Sequence, residues 1–262
     1  MSPLVHANLR MVLLAWMIVA PLACAEDIVF LKPSANSRSG TRVTGTVTDY
    51  TGRELLIRTV GNREQMIPAD RVSDVATEYT QKHADADRLF EDQRYIDAET
   101  LYRRALTDEP RQWVRRMILA QVVRCLRQQN NLEQAASTFL LIVQNDPTTQ
   151  YFDAIPLVWR ARELPPAAER RAMEWLRDER NPLTQLIAAS WLLSGPAEQR
   201  VEAQRTLETL TRLRNPRVAQ LAEVQRWRSL VVTARADDVA RWQRIIDGIE
   251  PPLRGGAYYL LG

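Results

Sequence analysis

The fold of this chain is decided by two consecutive stretches, YTQKHADADRLFEDQRYIDAETLYRRALTDEP at residues 79–110 and RQWVRRMILAQVVRCLRQQNNLEQAASTFLLIVQNDP at residues 111–147. When the stretches are aligned on their closing prolines, Pro110 and Pro147, apolar and small residues coincide along both at an offset of 37 residues. Self-similarity at such a period is typical of stacked helical units. The sequence therefore predicts one helical hairpin copied twice.

Small and aromatic residues hold fixed places in the aligned stretches. Ala98 falls opposite Ala135, and Tyr102 falls opposite Phe139. We expect two helices to cross closely at the alanines, while the aromatic rings fill the groove beside each crossing. The prolines are expected to end the second helix of each hairpin, because a proline ring lacks an N–H and clashes with the preceding turn. One hairpin cannot bury its own apolar face, so neighbouring hairpins must stack.

The first stretch resembles a tetratricopeptide repeat. Ala86 stands where this family prefers a small residue in the first helix, and the later positions of the family pattern are held by Tyr95, Ala98, Tyr102, Ala105 and Pro110. The resemblance implies an α-solenoid that binds a protein or peptide partner on its curved surface. Packing of this solenoid is expected from Ala86, Leu89, Tyr95, Ala98, Tyr102, Ala105, Pro110, Leu126, Ala135, Phe139 and Pro147.

The composition is that of an ordinary soluble protein. Of the 262 residues, 45% are hydrophobic and 26% are charged, and the net charge is +3. The basic residues are arginines apart from Lys32 and Lys82, and acidic residues nearly balance them. Because a surface for nucleic acid needs an excess of positive charge, we expect no nucleic acid among the partners.

The first 25 residues are typical of a secretory signal peptide. A positive residue precedes an apolar run at residues 11–23, and Ala-Cys-Ala at residues 23–25 offers small residues for cleavage. The run is too short to span a membrane comfortably. We therefore expect an exported protein of the periplasm or cell envelope, cleaved after Ala25. The alternative is a lipid anchor at Cys24, the one membrane attachment that the sequence suggests, although Pro21 stands where that motif favours leucine.

Residues 27–77 carry strand patterning. Apolar residues alternate with threonines and charged residues, and turn signals containing glycine interrupt them at short spacing. This pattern predicts five short strands in a small antiparallel, barrel-like module, which resembles an SH3-type or Sm-like barrel. Gly45 is expected to permit the sharp bend that such a barrel needs. The Sm-like resemblance would imply nucleic-acid binding, which the expected export and the balanced charge disfavour.

Five more helices are predicted after the two repeats of residues 79–150, at residues 167–180, 182–193, 196–213, 216–234 and 237–247. Asn181 and Asn215, which are 34 residues apart, each precede a proline and can cap a helix. This spacing resembles a HEAT-like repeat over residues 167–247.

Proline-rich segments flank that helical region. A connector at residues 151–166 is expected to hold at most a short helix at residues 157–163. A tail at residues 248–262 contains glycine and proline, and we expect its tyrosines and leucines to dock on an apolar surface.

The sequence contains no catalytic or cofactor motif, and we predict no catalytic, cofactor-binding or metal-ligating residue. His83, the only histidine after residue 25, shares a helical face with Tyr79, Ala86 and Phe90, which favours packing within the repeat. Cys125 is expected to be a small buried residue. Neighbouring acids are interpreted as solvated faces and helix caps: Asp85 and Asp87, Glu91 and Asp92, Asp178 and Glu179, Asp237 and Asp238.

Two further sets of residues allow a binding role as an alternative to a structural one. The tryptophans after residue 25 are expected in the core, but they could line a groove for peptide or glycan: Trp113, Trp159, Trp175, Trp191, Trp227 and Trp242. A stripe of arginines along one helix is expected to be a solvated face, but it could attract an acidic partner: Arg111, Arg115, Arg116, Arg124 and Arg127.

These patterns predict an α+β, mostly α fold, in which the β module precedes the α-solenoid. The function expected from it is a non-enzymatic exported scaffold that binds a protein or peptide partner on a curved helical surface. One alternative is an envelope module that binds glycan or cell wall through the β domain. Another is a hydrolase that uses paired carboxylates.

Overall fold

The computed structural model describes residues 26–33 and 40–262. The expected signal peptide, its cleavage site after Ala25 and the possible anchor at Cys24 lie outside these residues. Within them, a five-stranded antiparallel sheet is followed by ten α-helices, so the chain is α+β and mostly α, as expected.

The sheet is open rather than closed into a barrel. Its strands are β1 (Asp27–Leu31), β2 (Arg42–Tyr50), β3 (Glu54–Thr59), β4 (Arg63–Pro68) and β5 (Val72–Ala76), in the order β4-β3-β2-β1-β5. A single 3₁₀ turn joins β4 to β5, but these two strands form the edges and do not pair with each other. The expected closure is therefore incomplete, and β4 contributes only Ile67 to the core of the sheet.

Gly45 lies where β2 changes partners. Its backbone pairs with Asp27 of β1, and the next residue, Thr46, pairs with Arg58 of β3. A Cβ atom on Gly45 would lie 2.4 Å from the carbonyl oxygen of Arg58. The strand can pass from one partner to the other because glycine allows this close approach of two backbones.

Two helical hairpins follow, made of α1 (Gln81–Glu91), α2 (Tyr95–Asp108), α3 (Gln112–Gln128) and α4 (Leu132–Asn145). Helices α2 and α4 begin 37 residues apart and end 37 residues apart, as their bounds show. The chain therefore repeats in its backbone at the same offset as in its sequence.

The turn inside each hairpin repeats as well. Gln93 and Asn130, again 37 residues apart, have φ angles of 61° and 60°, in the left-handed region that often follows a helix. The next residue donates its backbone N–H back to the carbonyl of the preceding helix in both copies, from Arg94 to Leu89 and from Asn131 to Leu126, each over 2.8 Å. These bonds satisfy carbonyls that the end of a helix leaves without an intrahelical partner.

The connector contains no helix at residues 157–163. A 3₁₀ turn at Phe152–Ala154 is followed by extended chain as far as Pro165. Side chains of α6 hold this segment, since Trp191 Nε1 donates to the carbonyl of Pro156 over 2.7 Å and the backbone N–H of Val158 donates to Ser190 Oγ over 2.8 Å. These bonds replace the helical bonds that a proline-rich segment cannot form.

Six helices complete the chain: α5 (Pro166–Leu176), α6 (Pro182–Leu192), α7 (Ala197–Leu210), α8 (Pro216–Leu230), α9 (Ala236–Asp247) and α10 (Gly255–Leu261). The side chains of Asn181 and Asn215 accept backbone N–H groups at the starts of α6 and α8, as their spacing before proline predicts. Helix α10 was not predicted, and it packs against α8 and α9.

The sheet is fixed to the helices through the N-terminal half of α3. The indole Nε1 of Trp113 donates to the carbonyl of Val47 over 3.2 Å, and Arg116 binds both the Asp49 carboxylate and the carbonyl of Tyr50. The backbone N–H of Gly52 also donates to Asp146 Oδ2 over 2.9 Å. The expected solvated face of α3 is therefore, at this end, an internal interface.

Candidate functional site

The residues expected to pack the solenoid lie mainly inside it. Two are partly buried against the core, Leu89 and Tyr95, and the prolines Pro110 and Pro147 are exposed just beyond the ends of α2 and α4. The others have no more than 1% of their surface exposed: Ala86, Ala98, Tyr102, Ala105, Leu126, Ala135 and Phe139. These residues build the scaffold, and none of them lines a cavity of the candidate site.

His83 belongs to a buried polar cluster. Its ring lies 4.4 Å from that of Tyr79, and its Nε2 is 3.7 Å from Asp87 Oδ2. Asp87 also accepts the hydroxyl of Tyr102 over 2.5 Å. Burial lowers the pKa of His83, although Asp87 and Glu109 pull it in the opposite direction. Only 2% of His83 is exposed, which fits the expected packing role within the repeat.

The thiol of Cys125 is enclosed, and the neighbouring acids lie at the surface, where some of them are bound to nearby side chains. Burial raises the pKa of the Cys125 thiol to about 12, so this side chain stays protonated near neutral pH. Asp85 binds Arg88 and Gln81, and Asp238 binds Arg241. Among the described residues, no group of three or more histidine, cysteine, aspartate and glutamate side chains could hold a metal ion.

Four of the tryptophans are fully enclosed, Trp113, Trp191, Trp227 and Trp242, whereas Trp159 and Trp175 are partly exposed. Trp159 lines a cavity with a volume of about 550 Å³. We call this cavity the arginine–aromatic groove, and it is lined by Arg127, Gln128, Leu132, Leu157, Val158, Trp159, Arg160, Ala161, Arg162 and Tyr259. Its volume falls within the range of about 300–1,000 Å³ that is usual for ligand pockets.

Three separate segments form the groove. Arg127 comes from the last turn of α3 and Leu132 from the start of α4, Trp159 and its neighbours come from the connector, and Tyr259 comes from α10. The indole ring of Trp159 lies directly on Gly256 of α10, where a Cβ atom would be 2.1 Å from Cζ2 of the ring. The glycine therefore allows α10 and the connector to form one continuous wall.

A cation–π interaction joins the connector to α10 at the rim of the groove. The guanidinium of Arg160 lies 5.0 Å from the centre of the Tyr259 ring, and its Nε donates to the Tyr259 hydroxyl. Such stacking holds both side chains in place. The rim of the groove is thus formed before any ligand binds.

Arg127 carries the central charge of the groove. Burial lowers the pKa of its guanidinium, and the nearby Asp153 offsets this only in part. Asp153 is itself bound to Arg124, with 2.9 Å between Nη2 and Oδ2. Within residues 26–33 and 40–262, Arg127 makes no side-chain hydrogen bond or ion pair, and no carboxylate lines the arginine–aromatic groove. The groove is therefore suited to an anion.

A second cavity of about 260 Å³ also reaches Arg127. Trp159 and Tyr259 line both cavities, and Asp153 lies in the wall of the second one. Arg127 therefore contributes to the lining of two cavities.

Sequence patterns identified individual members of this site but not the site itself. Arg127 was part of the arginine stripe, and Trp159 was among the tryptophans with a possible binding role. The stripe is not a uniform solvated face, because the side chains of Arg111, Arg115 and Arg116 bind groups of the protein, while that of Arg127 binds none among the residues that the structure describes. Arg160, Arg162 and Tyr259 were missed, since only the folded chain brings them beside Arg127.

None of the helices in the described part of the chain is long and apolar enough to cross a membrane. The chain matches no protein-family model, and comparisons with curated proteins and with solved structures also found no match.

Proposed function

We propose that this protein is a non-enzymatic, exported scaffold that binds a protein or peptide partner in the arginine–aromatic groove. The observation that carries the proposal is the juxtaposition of a repeated helical hairpin with a ligand-sized groove at its turn. Stacked hairpins of this kind form extended binding surfaces in repeat proteins. In this proposal the hairpins are TPR-like, the helices α5 to α9 are HEAT-like and the sheet is SH3-like.

The chemistry of the groove supports binding more than catalysis. Its lining combines cations, two aromatic rings, aliphatic side chains and one amide, and it includes no histidine, carboxylate, serine, threonine or cysteine. A general acid–base reaction needs a group that exchanges a proton near the working pH. Arginine does not serve this purpose well, because it stays protonated under nearly all conditions.

The proposal is tested by photo-crosslinking in cell-envelope extracts of the source organism. A benzoylphenylalanine at Ala161, which is exposed in the groove, is compared with one at Val60, which is 80% exposed on the sheet. We expect a crosslinked protein that depends on position 161 and disappears when Arg162, on the same rim, is changed to glutamate. Identical crosslinks from positions 60 and 161 would contradict a partner site in the groove.

A second candidate function is ligand binding at the junction of the sheet and the helices. A cavity of about 190 Å³ lies there, and its lining combines the aromatic side chains of Tyr50, Tyr79, Trp113 and Tyr151 with polar ones that include Asp74. Burial raises the pKa of Tyr50 and of Tyr79, so their hydroxyls stay protonated and can donate hydrogen bonds. These features favour a neutral polar ligand such as a cell-wall glycan. Calorimetry with soluble wall fragments tests this candidate, and absence of heat on mixing with the native chain would contradict it.

A further inference from the structure

We propose that the arginine–aromatic groove recognises an acidic peptide segment, with a peptide carboxylate bound to Arg127 and an adjacent apolar side chain packed against the exposed part of Trp159. This inference rests on the proposed function and names the chemistry of its partner.

The charge of the groove is the first argument. Arg127 is partly buried without an ion pair among the described residues, and Arg160 and Arg162 add two positive charges at the rim. A partly buried charge without a partner has lost part of its hydration, and the protein does not replace that part. A carboxylate in the groove would supply the missing partner, and its two oxygens match the fork of a guanidinium.

The apolar lining is the second argument. Leu132, Leu157 and Val158 are almost completely buried, so the apolar surface that a ligand can reach belongs to Trp159, which is partly exposed, and to Tyr259, which is 47% exposed. A site for a bare anion such as phosphate has no need of these two aromatic rings. A peptide places an apolar side chain next to a carboxylate, so it matches both parts of the lining at once.

The rim gives the third argument. Arg160 is already stacked on Tyr259, whereas Arg162 is exposed and makes no side-chain hydrogen bond or ion pair within the described chain. Arg162 is therefore free to contact a second acid of the same peptide. Contacts at such an exposed rim mainly steer association and weaken as salt is added.

The test uses fluorescence anisotropy with a fluorescein-labelled peptide that alternates glutamate with leucine and phenylalanine. Its partner probe has the same sequence with glutamine in place of every glutamate. We expect the glutamate peptide to bind at least about tenfold more tightly at low salt, because truncating one member of a buried charged pair is costly. This preference should shrink as salt is raised.

Variants locate the interaction. R127M should weaken binding of the glutamate peptide by at least about tenfold, and R127K should weaken it less, since lysine keeps the charge but loses the bidentate geometry. The control R104Q removes the same charge from an exposed position of α2 outside the groove, and it should leave affinity unchanged. Circular dichroism of R127M confirms that the variant folds before its affinity is interpreted.

Three results would overturn the inference. The two peptides could bind equally, R127M could bind as well as the native chain, or polyglutamate and inorganic phosphate could compete as strongly as the mixed peptide. In each case a groove-specific crosslink at Ala161 would leave the proposed function standing with a different partner chemistry. Loss of that crosslink, in contrast, would remove the proposed function itself.

Discussion

The two ends of α3 carry arginines in contrasting settings. Near the N-terminal end, Arg116 is 8% exposed and binds Asp49 and the carbonyl of Tyr50 on the sheet. At the C-terminal end, Arg127 faces the arginine–aromatic groove and has no ion pair within the described chain. The residue type and the helix are the same at both ends. What differs is whether the fold itself supplies a partner.

This difference distinguishes an internal interface that stabilises the fold from a surface that can bind a ligand. Arg116 bonds to Asp49 and to the carbonyl of Tyr50 through Nη2, which replaces part of its lost hydration, although its buried Nε has no partner among the described residues, so its burial serves the fold. Arg127 keeps part of its desolvation cost, and residues that lower stability in this way concentrate at functional sites. Substitutions at each end of α3 test this difference.

Replacing Trp113 by alanine should weaken the interface between the sheet and the N-terminal half of α3. Trp113 is 2% exposed and donates its indole N–H to the carbonyl of Val47. Removal of a buried tryptophan typically lowers the free energy of unfolding by about 3–5 kcal/mol. Urea denaturation measures the change, with Trp113→Phe as the control that keeps most of the volume and loses the hydrogen bond. Equal stability of the native chain and the alanine variant would mean that this interface does not hold the sheet.

A matched pair of substitutions sharpens the comparison of the two ends. Arg116→Met leaves the Asp49 carboxylate and the Tyr50 carbonyl without their partner, so unfolding should become about 1–3 kcal/mol easier. Arg127→Met removes a charge that has no such partner, so stability should stay the same or rise by about 1 kcal/mol.

Both variants are measured by the same denaturation experiment in the absence of peptide. Arg116→Met should lower the free energy of unfolding, whereas Arg127→Met should leave it unchanged or raise it. A loss of stability in Arg127→Met as large as that in Arg116→Met would assign Arg127 to the scaffold, and the contrast between the ends of α3 would then disappear.

A further pair of substitutions tests whether the two hairpins are packed alike. Ala98 of α2 and Ala135 of α4 are each fully buried at equivalent positions of the two hairpins. Ala98→Leu and Ala135→Leu should each overpack a helix crossing and lower the free energy of unfolding by about 1–3 kcal/mol. Thermal melts of the two variants should therefore agree closely. A melting temperature that falls in only one of them would show that the hairpins are not packed alike.

Local signals in the sequence were sufficient for the hairpins. Proline and alanine at matched positions define each hairpin, and α2 and α4 begin and end at the same offset of 37 residues. Helices α6 and α8 were also predicted well at their starts, because asparagine before proline is a signal within a few residues.

Features that depend on distant contacts could not be predicted in this way. Gly255 and Gly256 disfavour a helix, yet α10 forms there because Gly256 allows the Trp159 ring to pack on it. Alternation of apolar and polar residues predicts the strands, but it does not show that the edge strands β4 and β5 do not pair with each other. The groove was missed for the same reason, since its residues come from segments centred near residues 127, 159 and 259.

The smallest expected effect is a pH dependence that arises from the polar cluster of His83, Tyr79, Asp87 and Tyr102. Burial lowers the pKa of His83, whereas the unfolded chain keeps a value of about 6.5. The unfolded state therefore binds more protons below about pH 6.5, and stability should decline as pH falls from there through the folded pKa. Burial alone would raise the pKa of Glu109, but hydrogen bonds from Arg111 outweigh it and lower that pKa, so Glu109 should not titrate in this window.

Replacement of His83 by glutamine should flatten this decline, because glutamine does not titrate. The expected difference between the native chain and the variant is about 1 kcal/mol or less between pH 6.5 and 5.5, since a shift of one pKa unit corresponds to about 1.4 kcal/mol. Denaturation at closely spaced pH values measures it, and peptide affinity should follow the same course in both proteins, because His83 does not line the groove. An identical slope in the native chain and the variant would mean that protonation of His83 is not linked to folding. A pH-dependent change in peptide affinity that occurs in the native chain but not in the variant would mean that protonation of His83 is coupled to the groove. The contrast between Arg116 and Arg127 does not require such coupling.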